Sequence, residues 1–283
     1  MNIPRNLVSD STLVQETFDL LLGNGGRATF TEIADSVFRL SDIDAGLAHS
    51  LVGELIRNDP RFSIEESHLV ISDDERELRP LNETDFVVLD VEAIAARKLP
   101  ARIIELAAYR IRAGQIIDQF QTLTNPELPL PRFITMLTGI SDEMLERAPL
   151  FADIADAWLD FAGDAVLVAH NSTFDLPLLN REIARVYPGH RMRNTELCTV
   201  ELARRLMPNL ESHNLDALAE HFGFEISQRH RAAGDALATS HILLRLLDYL
   251  AEHGVCTLSE GRSFLSNIKS ARPEIDLHLT LDT

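Results

Sequence analysis

The sequence predicts an α/β domain with a mixed sheet flanked by helices, preceded by a small α+β domain. Two short apolar runs, at 86–89 and 165–169, are typical of buried strands. Residues 86–123 form three β-like segments separated by short turns, which indicates an antiparallel meander. Helical patterns then alternate with the second apolar run. A meander followed by alternating helix and strand favours a mixed sheet with helices on both faces.

The chain has 283 residues, of which 45% are hydrophobic and 25% are charged, as in ordinary soluble globular proteins. At about 150 residues per domain, this length suits one large domain or two. We place the small domain at residues 1–84, the larger domain at 85–253 and a tail at 254–283. No run approaches the roughly 20 apolar residues of a membrane span. The two cysteines lack metal or disulfide spacing, and the first residues lack a signal-peptide pattern. We therefore expect a cytoplasmic protein.

The small domain is predicted to contain three helices followed by a β-hairpin, which is the order found in a winged helix. Apolar residues at helical spacing place the first helix at Leu13–Leu22 and the third at Asp44–Arg57. Thr31 is expected to cap the helix between them. Two short β-like segments, Arg61–Ile64 and His68–Ser72, complete the hairpin. The resulting prediction is a winged-helix-like domain over residues 1–84.

The charge of this domain argues against DNA binding, which many winged helices perform. Residues 1–84 carry 7 Arg and no Lys against 16 Asp and Glu. Contacts to phosphates and bases need cations. We therefore favour a protein-interaction or stabilising role for residues 1–84. The net charge of the whole chain, −18, also disfavours a broad electrostatic footprint on nucleic acid, although an enzyme that holds a strand end through metal ions needs less of one.

The larger domain is predicted to begin with three strands, at Phe86–Glu92, Ile103–Ile111 and Gln115–Leu123. Ser141 is expected to cap a short helix, and a longer helix follows through Phe161. The run at 165–169 is predicted to be a buried parallel strand. Further helices are predicted at Leu176–Val186, Cys198–Leu206, Asn214–Phe222 and Ala236–His253.

Two carboxylates follow the apolar run at 86–89. Asp90 and Glu92 lie at positions i and i+2 of a strand, so their side chains project to the same side. Carboxylates held side by side repel each other. A divalent ion between them relieves that repulsion, and oxygen ligands suit Mg²⁺ or Mn²⁺. The alternative is that both residues are only the solvated end of a strand.

Two more acidic positions follow in the chain. Asp175 ends a polar stretch after an apolar strand and opens a helix, where an Asp is often only a cap. Asp235 falls in or near the first turn of the last long helix, where the helix dipole stabilises a carboxylate. His230 precedes Asp235 by five positions and lies in a loop, where a lone histidine is often a solvated surface residue.

Together these residues resemble the DEDDh exonucleases, the family of the proofreading epsilon subunit of bacterial DNA polymerase III and of ribonuclease T. The motifs are Asp-x-Glu at 90–92, His-Asn-x-x-Phe-Asp at 170–175 and His-x-x-x-x-Asp at 230–235, in that order. Supporting segments lie at 102–106, 137–140, 202–206 and 212–215. The resemblance covers about residues 85–250 and implies a ribonuclease H-like fold.

The resemblance also implies roles for individual residues. The ligands of two Mg²⁺ or Mn²⁺ ions are expected to be Asp90, Glu92, Asp175 and Asp235. His230 is expected to be the general base, since histidine, with a reference pKa near 6.5, can accept a proton at neutral pH. The expected substrate-binding residues are Ala93, Ile94, His170, Asn171 and Phe174. For Phe174 an ordinary core position is the alternative.

One segment departs from the family pattern. Many members follow Asp-x-Glu with Thr-Thr-Gly, which contacts the terminal nucleotide, whereas this chain has Ala93-Ile94-Ala95. The hydroxyls are lost, and so is the glycine that permits close backbone approach. The metal ligands are unaffected, but the grip on a 3′ end differs.

The expected function is metal-dependent 3′→5′ exonuclease activity on the 3′ end of single-stranded DNA, releasing nucleoside 5′-monophosphates in DNA replication or repair. The alternative substrate is RNA or a short oligoribonucleotide, because the altered segment lies where a 2′-hydroxyl is read. A non-catalytic binding module on the same fold is the alternative from another class. We expect a protein partner that binds through residues 1–84, and we expect no association with a membrane.

Overall fold

A computed structural model describes residues 4, 6–57, 59–72, 75–94 and 101–266. Its central sheet contains, in chain order, β5 (Phe86–Ile94), β6 (Arg102–Arg112), β7 (Gln115–Leu123), β8 (Val166–Ala169) and β10 (Glu196–Cys198). The spatial order is β10-β8-β5-β6-β7. Strands β5, β6 and β7 pair antiparallel, as the predicted meander requires, and β8 pairs parallel to both β5 and β10. The sheet is therefore mixed, as the sequence predicts.

Side-chain alternation along β5 separates the two faces of the sheet. Val87, Leu89 and Val91 belong to a core cluster on one face. Phe86 and Val88 belong to a second cluster on the opposite face. Because side chains alternate with period two, Asp90 and Glu92 continue the row of Phe86 and Val88. Both carboxylates therefore lie on the second face of the sheet.

The helices of the larger domain cover both faces of this sheet. They are α4 (Arg132–Thr138), α5 (Asp142–Glu146), α6 (Phe151–Ala162), α7 (Ser172–Val186), α8 (Thr199–Leu206), α9 (Leu215–Phe222), α10 (Ala232–Glu252) and α11 (Leu258–Ser266). Residues of α6 and α7 pack in the first core cluster, and residues of α8 to α11 pack in the second. Ser141 caps α5 as predicted, by accepting a hydrogen bond from the Met144 backbone N–H. Helix α4 and the short strand β10 were not predicted.

The N-terminal region contains β1 (Leu7–Ser9), α1 (Thr12–Gly23), β2 (Arg27–Thr29), α2 (Phe30–Phe38), α3 (Ala45–Leu55), β3 (Phe62–Glu65) and β4 (His68–Ile71). Strands β2, β4 and β3 form an antiparallel sheet in that order. Thr29 caps α2 in a capping box with Glu32, so the cap lies two residues before the predicted Thr31. The assignment of this region to the winged-helix class stays a prediction.

Contacts cross both proposed domain boundaries. Strand β1 pairs antiparallel with β9 (His190–Met192) of the larger domain. The backbone N–H of Leu81 donates to the Cys256 carbonyl at 2.8 Å, and Leu258 of α11 is buried in the second core cluster. The first part of the tail therefore packs on the larger domain, while residues 267–283 lie outside the described residues. The boundaries at 84/85 and 253/254 stay predictions.

Among the residues that the structure describes, no helix combines the length and the apolar character that crossing a bilayer requires.

Candidate active site

Three carboxylates from two elements converge on the second face of the sheet. Asp90 and Glu92 of β5 meet Asp235 in the first turn of α10, with one oxygen of each within 4.8 Å of the others. Asp235 is buried, and the two strand residues are half-buried. They are therefore not the solvated end of a strand, because α10 covers them.

Small residues allow α10 to approach the sheet this closely. Ala107 of β6 packs against Ala232 and Ala233 at the start of the helix. Gly234 follows, and a Cβ at this position would lie only 2.1 Å from the Ser227 carbonyl oxygen. A larger side chain there forces the preceding loop away from the helix. The first turn of α10 thus lies against β5 and β6 because Ala232 and Ala233 have small side chains, and Gly234 leaves room for the preceding loop.

The fourth predicted ligand, Asp175, reaches the same strand from another direction. Helix α7 begins at Ser172, four residues before the predicted start, because Asn171 adopts a left-handed conformation (φ 73°) and Ser172–Phe174 form the first turn. Asp175 is buried and accepts a hydrogen bond from the Val91 backbone N–H at 3.2 Å. It lies outside the group of three that meets within 4.8 Å, and its role as a ligand stays a prediction.

The carboxylates have strongly perturbed protonation. Burial, with the charges of Asp175, Asp235 and Glu92, raises the pKa of Asp90 well above its usual range. Burial and the charge of Asp235 raise the pKa of Glu92 to about 8, and burial raises that of Asp175 to about 7. Burial also raises the pKa of Asp235, against the opposing effect of Arg229. Such a cluster is favourable when cations offset its charge.

The oxygens of Asp235 test whether the cluster fits a divalent ion. Its Oδ2 accepts hydrogen bonds from the Arg229 guanidinium and, at 3.2 Å, from the His230 backbone N–H. Its Oδ1 is buried, with no hydrogen-bond partner among the described residues. A buried carboxylate oxygen needs a partner, and oxygen donors suit Mg²⁺ and Mn²⁺. The residues present therefore fit a divalent metal ion bound by Asp90, Glu92 and Asp235.

His230 lies in the turn that precedes α10. It is half-buried and has a left-handed backbone (φ 61°), which histidine tolerates better than most residues. Its backbone N–H binds Asp235, so the residue lies beside the carboxylates. The role of the imidazole as general base stays a prediction.

Two of the carboxylates open onto a cleft of about 970 Å³. Asp90 and Asp235 lie on its wall, and so does His170, whose Nδ1 lies 2.9 Å from the Thr199 hydroxyl oxygen. The other polar residues that line the cleft are Asn171, Arg204, Glu211, Ser212, His213, Asn214 and Arg229. The lining thus combines carboxylates with cationic and hydrogen-bonding groups, which suits a ligand that carries phosphates.

The predicted substrate-binding residues divide into two groups. His170 and Asn171 line the cleft. Phe174 is 44% exposed, so the core alternative for it is wrong and the substrate contact stays a prediction.

Ala93 and Ile94 are placed differently from the expectation. Strand β5 continues through both residues, and both side chains are buried in the core, with Ile94 in a cluster that includes Ile134 of α4. The expected contact between the Ile94 side chain and a nucleotide conflicts with this burial. Ala95 lies outside the described residues.

An ion pair between half-buried Arg231 and buried Glu105 joins α10 to the sheet, and the sequence analysis missed it. Arg231 donates to both oxygens of Glu105, from Nε at 2.9 Å and from Nη2 at 2.8 Å. The Ala232 backbone N–H donates to the same carboxylate at 3.1 Å. Glu105 lies directly across from Glu92 in the β5–β6 register. The signal was available, because a glutamate inside the apolar run 103–108 implies a buried partner.

We predict that Glu105→Gln weakens metal binding by about 10- to 100-fold, the usual effect of losing an outer-shell partner. The substitution releases Arg231 and thereby the turn that carries His230 and Asp235. Titration of the protein with Mn²⁺ by calorimetry measures the change. Thermal unfolding of the same samples measures the accompanying loss of stability.

Glu182→Gln provides a matched control. Glu182 is buried and forms a second ion pair, with half-buried Arg102 at 2.8 Å, and its substitution also removes the charge that pairs with an arginine. We expect lower stability with nearly unchanged Mn²⁺ affinity. Equal weakening of Mn²⁺ binding by both variants would show that general destabilisation explains the effect.

The raised pKa values predict how the metal-free protein responds to pH. An acid whose pKa is higher in the folded state keeps its proton where the unfolded chain has released it, so folding loses stability as pH rises through this range. The pKa of Glu92 is about 8 and that of Asp175 is about 7. We therefore expect the melting temperature in EDTA to fall by about 5 °C between pH 6.5 and 8.5. Added Mn²⁺ should raise it more at pH 8.5 than at pH 6.5.

The lower limit of this pH range avoids an opposing effect. Burial lowers the pKa of His170 to about 4, so this residue reduces stability only as pH falls below the usual histidine value near 6.5. Asp90→Asn is the control, because it removes one of the interacting charges. The variant should melt higher than wild type in EDTA at pH 8.5, and an unchanged profile would contradict the prediction.

Comparison with known proteins identifies the class. Residues 87–243 match the RNase_T family, described as exonuclease. The match covers more than half of the chain, so the chain belongs to this exonuclease family. The family predicted from the three sequence motifs is confirmed.

The chain is similar to bacterial proteins of two kinds, both named for DNA polymerase III. It is 40% identical over 183 residues to a DNA polymerase III PolC-type protein of Caldanaerobacter subterraneus subsp. tengcongensis, which covers 65% of this chain and 13% of that protein. It is 38% identical over 165 residues to a DNA polymerase III subunit epsilon of Aquifex aeolicus, which covers 58% of this chain and 81% of that protein. The chain thus spans only a small fraction of the PolC-type relatives.

Solved structures show the same fold. The nuclease domain of 3′hExo, described as a DEDDh family member bound to rAMP, superposes with a TM-score of 0.52 at 20% identity, covering 59% of this chain and 92% of that one. Exonuclease I of E. coli in complex with a dA16 oligonucleotide superposes with a TM-score of 0.50 at 19% identity. The match covers 60% of this chain and 44% of that one. The predicted ribonuclease H-like fold of the larger domain is confirmed.

Proposed function

We propose that this chain is a metal-dependent 3′→5′ exonuclease that shortens single-stranded DNA and releases nucleoside 5′-monophosphates. The observation that carries the proposal is the meeting of Asp90, Glu92 and Asp235, two of which, Asp90 and Asp235, line a polar cleft. Support for DNA as substrate comes from the polymerase relatives and from the deoxyoligonucleotide bound to exonuclease I. A cytoplasmic location fits the same relatives.

Hydrolysis requires attack of water on phosphorus and cleavage of the bond to the 3′ oxygen of the preceding nucleotide. Two Mg²⁺ or Mn²⁺ ions would activate the water and stabilise charge on the attacking and leaving oxygens. Asp90, Glu92, Asp175 and Asp235 would hold them. His230 would accept the proton of the attacking water, and His170, Asn171 and Phe174 would contact the substrate.

The proposed protein partner would bind through the N-terminal region. The support is the excess of acidic residues in 1–84, which disfavours DNA there, and the relative named as a DNA polymerase III subunit.

The test compares single-stranded DNA and RNA oligonucleotides, labelled at the 5′ end or at the 3′ end, with Mg²⁺, with Mn²⁺ and with EDTA. We expect the 5′-labelled DNA to shorten stepwise only with metal, with label released from the 3′ end as a mononucleotide. Faster shortening of RNA would indicate the alternative substrate. No cleavage of either polymer would favour the non-catalytic binding module.

A further inference from the structure

Arg229 lies between two aspartates on the wall of the cleft. Its Nε donates to Asp216 at 3.0 Å, and its Nη1 donates to Asp235 Oδ2. Its side chain is 33% exposed and lines the cleft beside Asp90. The guanidinium is therefore fixed on one side and open to the cleft on the other.

The guanidinium retains donors for a ligand. Arginine has five N–H groups in a planar fork. The bond to Asp216 uses Nε and the bond to Asp235 uses Nη1. Neither of these two bonds involves Nη2. An arginine already fixed in position loses little conformational entropy when it binds a further anion.

The position of Arg229 depends on the loop that carries it. Gln228 and His230, on either side, both have left-handed backbones, with φ of 57° and 61°. The Ser227 and Gln228 carbonyl oxygens lie so close to Gly234 that a Cβ there would meet them at 2.1 and 2.5 Å. Any larger residue at position 234 displaces this loop. The glycine therefore allows Arg229 to lie beside the carboxylates.

We propose that Arg229 binds a phosphate oxygen of the substrate strand next to the metal-binding carboxylates, and that Asp216 and Asp235 hold it for this contact. The inference rests on the proposed function. A phosphodiester that enters the site approaches Asp90, Glu92 and Asp235, whose charges repel it. A fixed guanidinium offsets that repulsion, and its fork matches the geometry of phosphate oxygens better than an ammonium group does.

A different role for the same arginine predicts a different result. If Arg229 only orients Asp235, its loss weakens metal binding and the loss of activity follows from that. If it binds phosphate, its loss weakens the substrate contact and leaves metal affinity intact, since removal of a nearby positive charge favours cation binding. Metal affinity without substrate therefore separates the two roles.

The test variant is Arg229→Gln. We expect kcat/KM on a single-stranded DNA oligonucleotide to fall by about 10- to 100-fold, as for a lost hydrogen bond to a charged group. Mn²⁺ affinity of the free protein, measured by calorimetry, should be unchanged or higher. In an Asp90→Asn background with Mg²⁺, fluorescence anisotropy measures binding of a labelled oligonucleotide against salt. The plot of log binding constant against log salt concentration should become less steep by about 0.7, the value for one phosphate contact on a single strand.

Two further variants complete the design. Arg147→Gln is the matched control, because Arg147 is a surface arginine of α5's C-terminal end that pairs with Glu143, and it should change none of the three measurements. Asp216→Asn keeps Arg229 but removes one of its anchors. It should lower kcat/KM by a smaller factor, and it tests the inference even if Arg229→Gln does not fold.

The outcomes are distinct. Mn²⁺ affinity that falls in step with activity, with an unchanged salt slope, overturns the phosphate contact and leaves Arg229 as a positioning residue. If Arg229→Gln changes neither kcat/KM nor the salt dependence of oligonucleotide binding, the phosphate contact is overturned as well. If wild-type protein never shortens the oligonucleotide with metal, the proposed function fails, while the salt slope in the Asp90→Asn background still decides whether Arg229 binds phosphate.

Discussion

Asp90→Asn is expected to lower exonuclease activity by more than about a hundredfold while raising the melting temperature of the metal-free protein. Loss of an outer-shell partner of a metal usually costs about 10- to 100-fold, and loss of a ligand itself costs more. The same substitution removes one charge from a group in which burial and like charges raise the pKa of Asp90. Stability without metal should therefore increase above neutral pH.

The measurements are single-turnover hydrolysis of 5′-labelled single-stranded DNA with Mg²⁺, and thermal unfolding in EDTA at pH 8.5. Asp118→Asn is the control, since Asp118 is an exposed residue of β7 in the same sheet, and it should change neither quantity. A variant that keeps its activity would show that Asp90 is not a ligand. Lower activity together with lower stability would indicate misfolding instead.

His230→Asn is expected to lower the rate of hydrolysis by about 10²- to 10⁴-fold at neutral pH, the usual contribution of a general base. Asparagine is the suitable replacement because it tolerates the left-handed backbone of this position. The backbone N–H that binds Asp235 is retained. Mn²⁺ affinity should therefore remain close to that of wild type.

The rate is measured against pH, with Mn²⁺ binding measured on the same protein. Wild-type activity should rise with pH and then level off, whereas the variant should lose this dependence on a histidine. His221→Asn, at an exposed position of α9, should behave as wild type. Full activity in His230→Asn would rule out the imidazole as the base.

Much of the site could be read from local patterns. The row of alternating side chains in β5 brings Asp90 and Glu92 to one face, and this follows from strand geometry alone. The third strand, Gln115–Leu123, has its predicted limits because turn residues, Ala113 and Gly114, mark its start. Short apolar runs and spaced motifs thus predicted the fold of the larger domain and its family.

Errors arose where the deciding contact is distant in sequence. The start of helix α7 is an exception, because it depends on the adjacent Asn171, which turns the chain so that the helix begins four residues before the predicted start. Ile94 was expected near the substrate, but α4, a helix the sequence analysis missed, covers it. Strand β1 escaped prediction because its partner, β9, is more than 180 residues away.

By itself, the sequence determined which residue types carry the chemistry and the order of the strands and helices that present them, since both follow from local spacing. Tertiary structure decided which of those groups meet. Asp235 reaches Asp90 and Glu92 because Ala107 and Ala232 permit close packing of α10 on the sheet, and Gly234 leaves room for the loop that precedes the helix. Arg229 and the Glu105–Arg231 pair lie beside them for the same reason. Charges buried in one place must be balanced there, and only the packed chain fixes which residues supply that balance.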